Sequence, residues 1–193
     1  NFYDLGVEPF IEYDWSPDSR WLAFVMAGPT YDTDVYLVSL DGETYNISQS
    51  QGFNYRARFA ANGRFVYYSS WLEYNEVTYK IDLKRGPVEF AEATIDSLFV
   101  ADSAEDKPEP KTAKVEIDFE GIQTRKEKAY DLPVSSEYPV LTPDGKYYLF
   151  VASVLGKPEI WSVSNDDDKD LKQLTHSGKK KTNLIVDRDS EYL

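Results

Sequence analysis

Along the chain, short apolar runs rich in β-branched and aromatic residues are broken by clusters of Asp, Asn, Ser, Pro and Gly at roughly eight- to twelve-residue intervals, the pattern of strands joined by turns. The runs at Trp21–Ala27, Val35–Leu40, Phe65–Ser70, Val77–Leu83, Tyr147–Ala152 and Glu159–Val163 are the predicted strands, and no long helix is predicted. Several runs are apolar almost throughout instead of alternating. That predicts sheets buried on both faces, each packed between two others.

Three of these strands are introduced by variants of one pattern: WSPDSRWLAF at 15–24, FAANGRFVYY at 59–68 and LTPDGKYYLF at 141–150. Each holds an apolar anchor (Trp15, Phe59, Leu141), a turn and a strand. Pro17 and Pro143 preset φ at the second turn position, Asp18, Asn62 and Asp144 suit the third, and Gly63 and Gly145 the fourth. The anchors lie 44 and then 82 residues apart, and a degenerate fourth copy starts another 44 residues on, at Ile185. A period of about 40 to 45 residues with four strands each is that of a β-propeller blade.

The expected fold is therefore all-β: a partial β-propeller, an open arc of about three complete four-stranded antiparallel blades plus part of a fourth. Blade boundaries are expected at 1–50, 51–137, 138–180 and 181–193, the last blade incomplete where the sequence stops inside a strand. The long second unit carries a charged insertion at 102–114, DSAEDKPEPKTAK, which reads as a mobile loop. Lys114–Leu132 then returns to β character and is expected to supply that blade's outer strand.

Composition narrows the function classes. The 193 residues carry 34 acids against 21 bases, a net charge of −13, which argues against nucleic-acid partners. No run approaches the ~18 apolar residues of a membrane span. With no cysteine, a disulfide framework, a thiolate metal site and a cysteine nucleophile are all excluded, while both reducing and oxidising compartments stay open. Asn1–Glu12 lacks the features of a signal peptide, and the cytoplasm is favoured over the periplasm.

Candidate chemistry is sparse. The single histidine, His176 in LTHSG, falls where one blade connects to the next and reads as a surface connector. The acidic run Asp166, Asp167, Asp168 and Asp170 fails the calcium-loop pattern at its glycine and terminal glutamate positions, so it reads as a solvated hairpin tip. Neither a metal nor a cofactor is expected. A catalytic carboxylate pair would suit glycoside hydrolysis, but no apolar setting in the sequence marks one acid for a raised pKa. Tyr67, Tyr68, Trp71, Tyr74, Tyr147, Tyr148 and Trp161 could line a groove, yet packing between sheets is their expected role. Lys179, Lys180 and Lys181 read as an exposed connector. Arg56 and Arg58 in NYRARF are the candidate site: they enter the innermost strand of their blade, where two cations in an acidic chain could steer a carboxylate. Ion pairing with neighbouring acids is their alternative role.

SPDSRWLAF and TPDGKYYLF resemble the PD-type blade repeat of TolB-like propellers. The order EYDWSPDSRWLAF, a blade with a long charged insertion, then VEIDFEGIQTR and a new blade resembles the larger propeller of tricorn and tricorn-like proteases, from about Glu12 to Leu193. The FAANGR copy departs from the repeat by lacking proline, and the last copy lacks the turn. The resemblance implies a segment without catalytic residues of its own, from a serine protease whose PDZ-like module and serine core lie elsewhere. It also implies a role in gating or guiding peptides to that core, with the remaining blades, the core and further copies of the chain as partners. The alternative it leaves is a TolB-like scaffold for protein–protein interaction.

Overall fold

In the computed structural model the described residues are 12–28, 32–50, 52–72, 75–86, 114–132, 135–165, 170–182 and 184–186. Three antiparallel units of four strands follow one another. The first is β1 (Tyr13–Trp15), β2 (Trp21–Ala27), β3 (Thr33–Ser39) and β4 (Thr44–Asn46). The second is β5 (Phe53–Phe59), β6 (Phe65–Leu72), β7 (Asn75–Asp82) and β8 (Lys126–Lys128). The third is β9 (Glu137–Leu141), β10 (Tyr147–Val154), β11 (Lys157–Ser164) and β12 (Lys172–Gln173). Within each unit every strand pairs with the next. One parallel pair, Thr33 with Phe53, joins the first two units into an eight-stranded sheet. The sheets are open and do not close into a ring.

The six predicted strands all form, with boundaries unchanged or moved by at most two residues. Of the other six, β1, β4, β8 and β12 have two or three residues each and too little apolar pattern to register, while β5 and β9, of seven and five residues, are interrupted by polar residues and proline. The outer strand of the second unit does come from beyond the insertion: β8 pairs with β7 through Tyr79–Lys128 and Ile81–Lys126. Residues 102–113 of the insertion lie outside the described residues. Ile185 is 77% exposed, and the strand expected to follow it falls at 187–193, outside them too.

The repeated turn shows why its residues recur. Ser19, Gly63 and Gly145 stand at φ 57°, 67° and 74°, the left-handed region that closes a type I turn with a bulge and that glycine enters without a Cβ penalty. In the first copy the Ser16 hydroxyl accepts from the Trp21 amide at 2.9 Å and donates to Asp18 Oδ1 at 2.7 Å. In the third, Thr142 Oγ1 accepts from Tyr147 N at 3.1 Å and donates to Asp144. Ala60 occupies that place in the second copy and can make neither bond. Asp18 Oδ2 also accepts from Val115 N at 2.9 Å, tying the chain that returns from the insertion to the first turn of the fold.

Alternation along β6 explains its unbroken apolar run. Val66 and Tyr68 join Ala23, Val35, Leu37 and Ile47 in the core between the first and second units. Phe65 and Tyr67 join Tyr148, Phe150 and Val163 in the core between the second and third. The middle sheet is thus buried on both faces. Among the described residues no second sheet covers the far side of the first unit: Tyr13, Trp15, Leu22, Phe24 and Tyr36 share one face by register, with Tyr13 57% and Trp15 48% exposed.

Candidate functional site

The first strands of the units, β1, β5 and β9, do not pair with one another, so side chains connect them. Asp14 Oδ2 on β1 accepts from the Phe59 amide on β5 at 2.8 Å, and Tyr67 Oη accepts from the Leu141 amide on β9 at 3.3 Å. Three residues before each anchor stand Glu12, Arg56 and Tyr138, the same repeat position in three successive copies. The structure brings them together. Arg56 Nε lies 4.0 Å from Glu12 Oε1, and its guanidinium sits 4.3 Å from the centre of the Tyr138 ring. Its Nη1 lies 3.8 Å from Glu76 Oε1, and Tyr55 is a second aromatic neighbour at 5.5 Å. One guanidinium therefore touches all three units.

Local backbone geometry makes this contact. Arg56 and Tyr138 both have φ 55°, a left-handed conformation costing a non-glycine residue roughly 1–2 kcal/mol. Each coincides with a register shift: β5 against β6 between Tyr55 and Arg58, and β9 against β10 between Glu137 and Val140. A bulge inserts one residue and re-aims its side chain, here toward the neighbouring inner strand.

Arg58 is placed differently. Its Nη1 donates to Ala57 O at 3.1 Å and to Tyr13 O at 3.4 Å, and it makes no other hydrogen bond among the described residues. A partly buried acid, Asp14, and a buried one, Glu76, frame the arginines. Burial raises the Asp14 carboxyl above its ordinary pKa, against the lowering effect of the Phe59 amide and the Arg58 charge. Burial likewise raises Glu76, against Ser69, Tyr55 and Arg56, while the Glu137 charge pushes it further up. Burial, followed by the Glu76 charge, pushes the Tyr55 phenol up as well. No apolar setting for a raised acid is visible in the sequence; Asp14 and Glu76 acquire one only in the folded chain.

Of the aromatic stripe, Tyr67, Tyr68 and Tyr148 are buried in the two cores, Tyr147 and Trp161 are partly buried, Trp71 is 48% exposed and Tyr74 lies outside the described residues. His176 is exposed on its connector, with Nδ1 3.0 Å from Gln173 Nε2. Lys181 departs from the expected exposed connector: its side chain is 13% exposed and its ammonium lies 2.9 Å from Glu159 Oε2. Asp166, Asp167 and Asp168 lie outside the described residues, and Asp170 pairs with Lys172 at 2.8 Å. Among the described residues no group of three or more His, Asp or Glu is gathered as a metal site, and no helix is long and apolar enough to cross a membrane.

Glu12 and Tyr138 were missed as partners of Arg56, although aligning the three copies on their anchors puts all three in one column. Stacked four-stranded antiparallel units, with inner strands bridged by side chains, define the class: an open arc of β-propeller blades. The particular likeness is to tricorn-like proteins. A relative from Sulfurisphaera tokodaii named for a tricorn-like protease C-terminal subunit is 22% identical over 194 residues, 92% of this chain and 21% of its own. A tricorn protease homolog from Saccharolobus solfataricus is 29% identical over 66 residues, 34% of this chain and 6% of its own. The chain thus spans about a fifth or less of the length of these curated relatives. Among solved structures, TolB from Acinetobacter baumannii aligns with TM-score 0.57 at 12% identity, over 86% of this chain and 32% of TolB. The tricorn protease aligns with TM-score 0.55 at 12% identity, over 84% of this chain and 18% of that one. At these identities the solved structures speak for the fold alone. No family model matches the chain.

Proposed function

We propose that this chain is a non-catalytic propeller portion of a tricorn-like serine protease, with blades at 1–50, 51–137, 138–180 and 181–193, that guides peptides to a catalytic core elsewhere. The reading is supported chiefly by the tricorn-like likeness running along 92% of the chain. A cytoplasmic site of action goes with it. Within the inner-strand cluster, Arg56 is balanced by Glu12 and Glu76 and holds neighbouring strands together. Arg58 is the better peptide contact, because most of its guanidinium donors are not committed among the described residues. A carboxylate there would gain a charge-assisted hydrogen bond.

Fluorescence anisotropy with a labelled decapeptide bearing a free or an amidated C-terminus tests this. The free acid is expected to bind more tightly, and Arg58→Ala to abolish the difference. Equal binding of the two peptides, or an unchanged preference in Arg58→Ala, refutes the assignment.

The face of Tyr13, Trp15, Leu22, Phe24 and Tyr36, on which Tyr13 and Trp15 are exposed and the others partly buried, favours a second reading, a TolB-like scaffold that associates with protein, including further copies of itself. Light scattering across a hundredfold concentration range separates the two. A mass that rises with concentration and reverts to monomer in Trp15→Lys supports the scaffold, and a constant monomer counts against it.

A further inference from the structure

On the third unit, away from the inner strands, Val154, Lys157, Glu159, Trp161, Gln173 and His176 line a cavity of about 250 Å³. Register puts Val154 opposite Lys157, Ala152 opposite Glu159 and Phe150 opposite Trp161, so these side chains share one face of the sheet. The one acid in the wall is already paired within the chain. Glu159 is 4% exposed and accepts from Thr175 Oγ1 at 2.5 Å, from the Gly178 amide and from Lys181 Nζ at 2.9 Å.

The remaining polar groups are donors. Gln173 Nε2 donates to Thr175 O at 2.7 Å, which identifies the amide's nitrogen end, and the same nitrogen faces His176 Nδ1 at 3.0 Å. Nδ1 must then accept, so the neutral imidazole carries its proton on Nε2. Lys157 makes no ion pair among the described residues, and its stem lies within reach of Gly178. Trp161 Nε1, buried in the wall, has no acceptor. Lys179 and Lys180 follow on the same connector and also form no ion pair among the described residues. In a chain of net charge −13, this is a locally basic surface.

We propose that this cavity is a binding site for a small carboxylate carried on an apolar body, with Lys157 and the His176 Nε2–H taking the carboxylate and the Trp161 indole and Val154 taking the body. The site stands independently of the peptide-guiding reading of the inner strands. A cavity of this size holds a benzoate or a single amino-acid side chain.

The test is an NMR titration of the 193-residue chain, following the Trp161 indole N–H and the Gly178 amide, with sodium benzoate, benzyl alcohol, benzylammonium and inorganic phosphate as probes. Saturable shifts with benzoate are expected at millimolar concentration, with benzyl alcohol about tenfold weaker, equivalent to ~1.4 kcal/mol. Lys157→Gln lies on an exposed hairpin end and is expected to keep the fold while weakening benzoate about tenfold. His176→Phe removes the second donor and is expected to weaken it less. Equal binding of benzyl alcohol or benzylammonium overturns the anion assignment, as does an unchanged affinity in Lys157→Gln. Phosphate binding as tightly as benzoate overturns the apolar wall.

Discussion

Phe24, Tyr68 and Phe150 occupy one position of the repeat, nine residues after the anchor, and in the second and third units that position faces the preceding unit. Phe150 is 1% exposed and stacks on Tyr130, with ring centroids 5.3 Å apart. Truncation to alanine removes a fully buried ring and leaves a cavity that its aromatic neighbours cannot fill, a loss of about 3–5 kcal/mol, of which the stacked pair accounts for ~1 kcal/mol. Phe24 stacks on Tyr36 at 5.7 Å but is only partly buried, so a smaller cavity forms and only part of the transfer free energy is lost. About 1–2 kcal/mol is expected there. Urea unfolding, monitored by near-ultraviolet circular dichroism at low protein concentration, should therefore show Phe150→Ala as at least ~1 kcal/mol the more damaging. In thermal unfolding the Phe150 variant should melt roughly 6–20 °C below wild type. Equal costs would refute the inference that the first unit's outer face is uncovered. A Phe24→Ala cost that grows with protein concentration would show the face to be covered by association.

Two further outcomes are expected. Burial alone would raise Glu159, but the Thr175 hydroxyl, the Gly178 amide and Lys181 outweigh it and hold the carboxyl at about 2, against an ordinary 4.5. A lowered pKa contributes stability that is present above 4.5 and lost as the pH falls toward 2. Glu159→Gln should therefore destabilise at pH 7 and converge on wild type near pH 2 in equilibrium unfolding; a gap that stays constant with pH would contradict the ion-pair account. Ser19 holds the left-handed position that glycine holds in the other two turns, so Ser19→Gly should stabilise by about 0.5–1 kcal/mol in the same assay, and a loss of stability would mean that the Ser19 side chain contributes a contact.

The propeller arc was legible because its causes are local and repeated. Asp18 and Asp144, with glycine or serine after them, encode the same bulged turn, and Phe65–Tyr68 is apolar at every position because both faces of its sheet are buried. Periodicity of that kind survives in a single sequence. Short strands such as β4 and β12 did not announce themselves, since two or three residues cannot establish a period and their pairing is set by the neighbouring strand.

The site divides along the same line. The sequence by itself placed Arg56 and Arg58 at an inner strand in an acidic chain. Only the tertiary structure decided that Arg56 is held by Glu12, Glu76 and Tyr138, which come from three different units, and that Arg58 rests on backbone carbonyls. Only the tertiary structure buried Glu159 under Thr175 and Lys181, and so left Lys157 and His176 as the donors of the cavity beside it. Repeat patterns report backbone geometry, which is fixed within a few residues. Burial of a charge and the choice of its partner depend on which strands meet, and those strands lie 44 and 82 residues apart at their anchors.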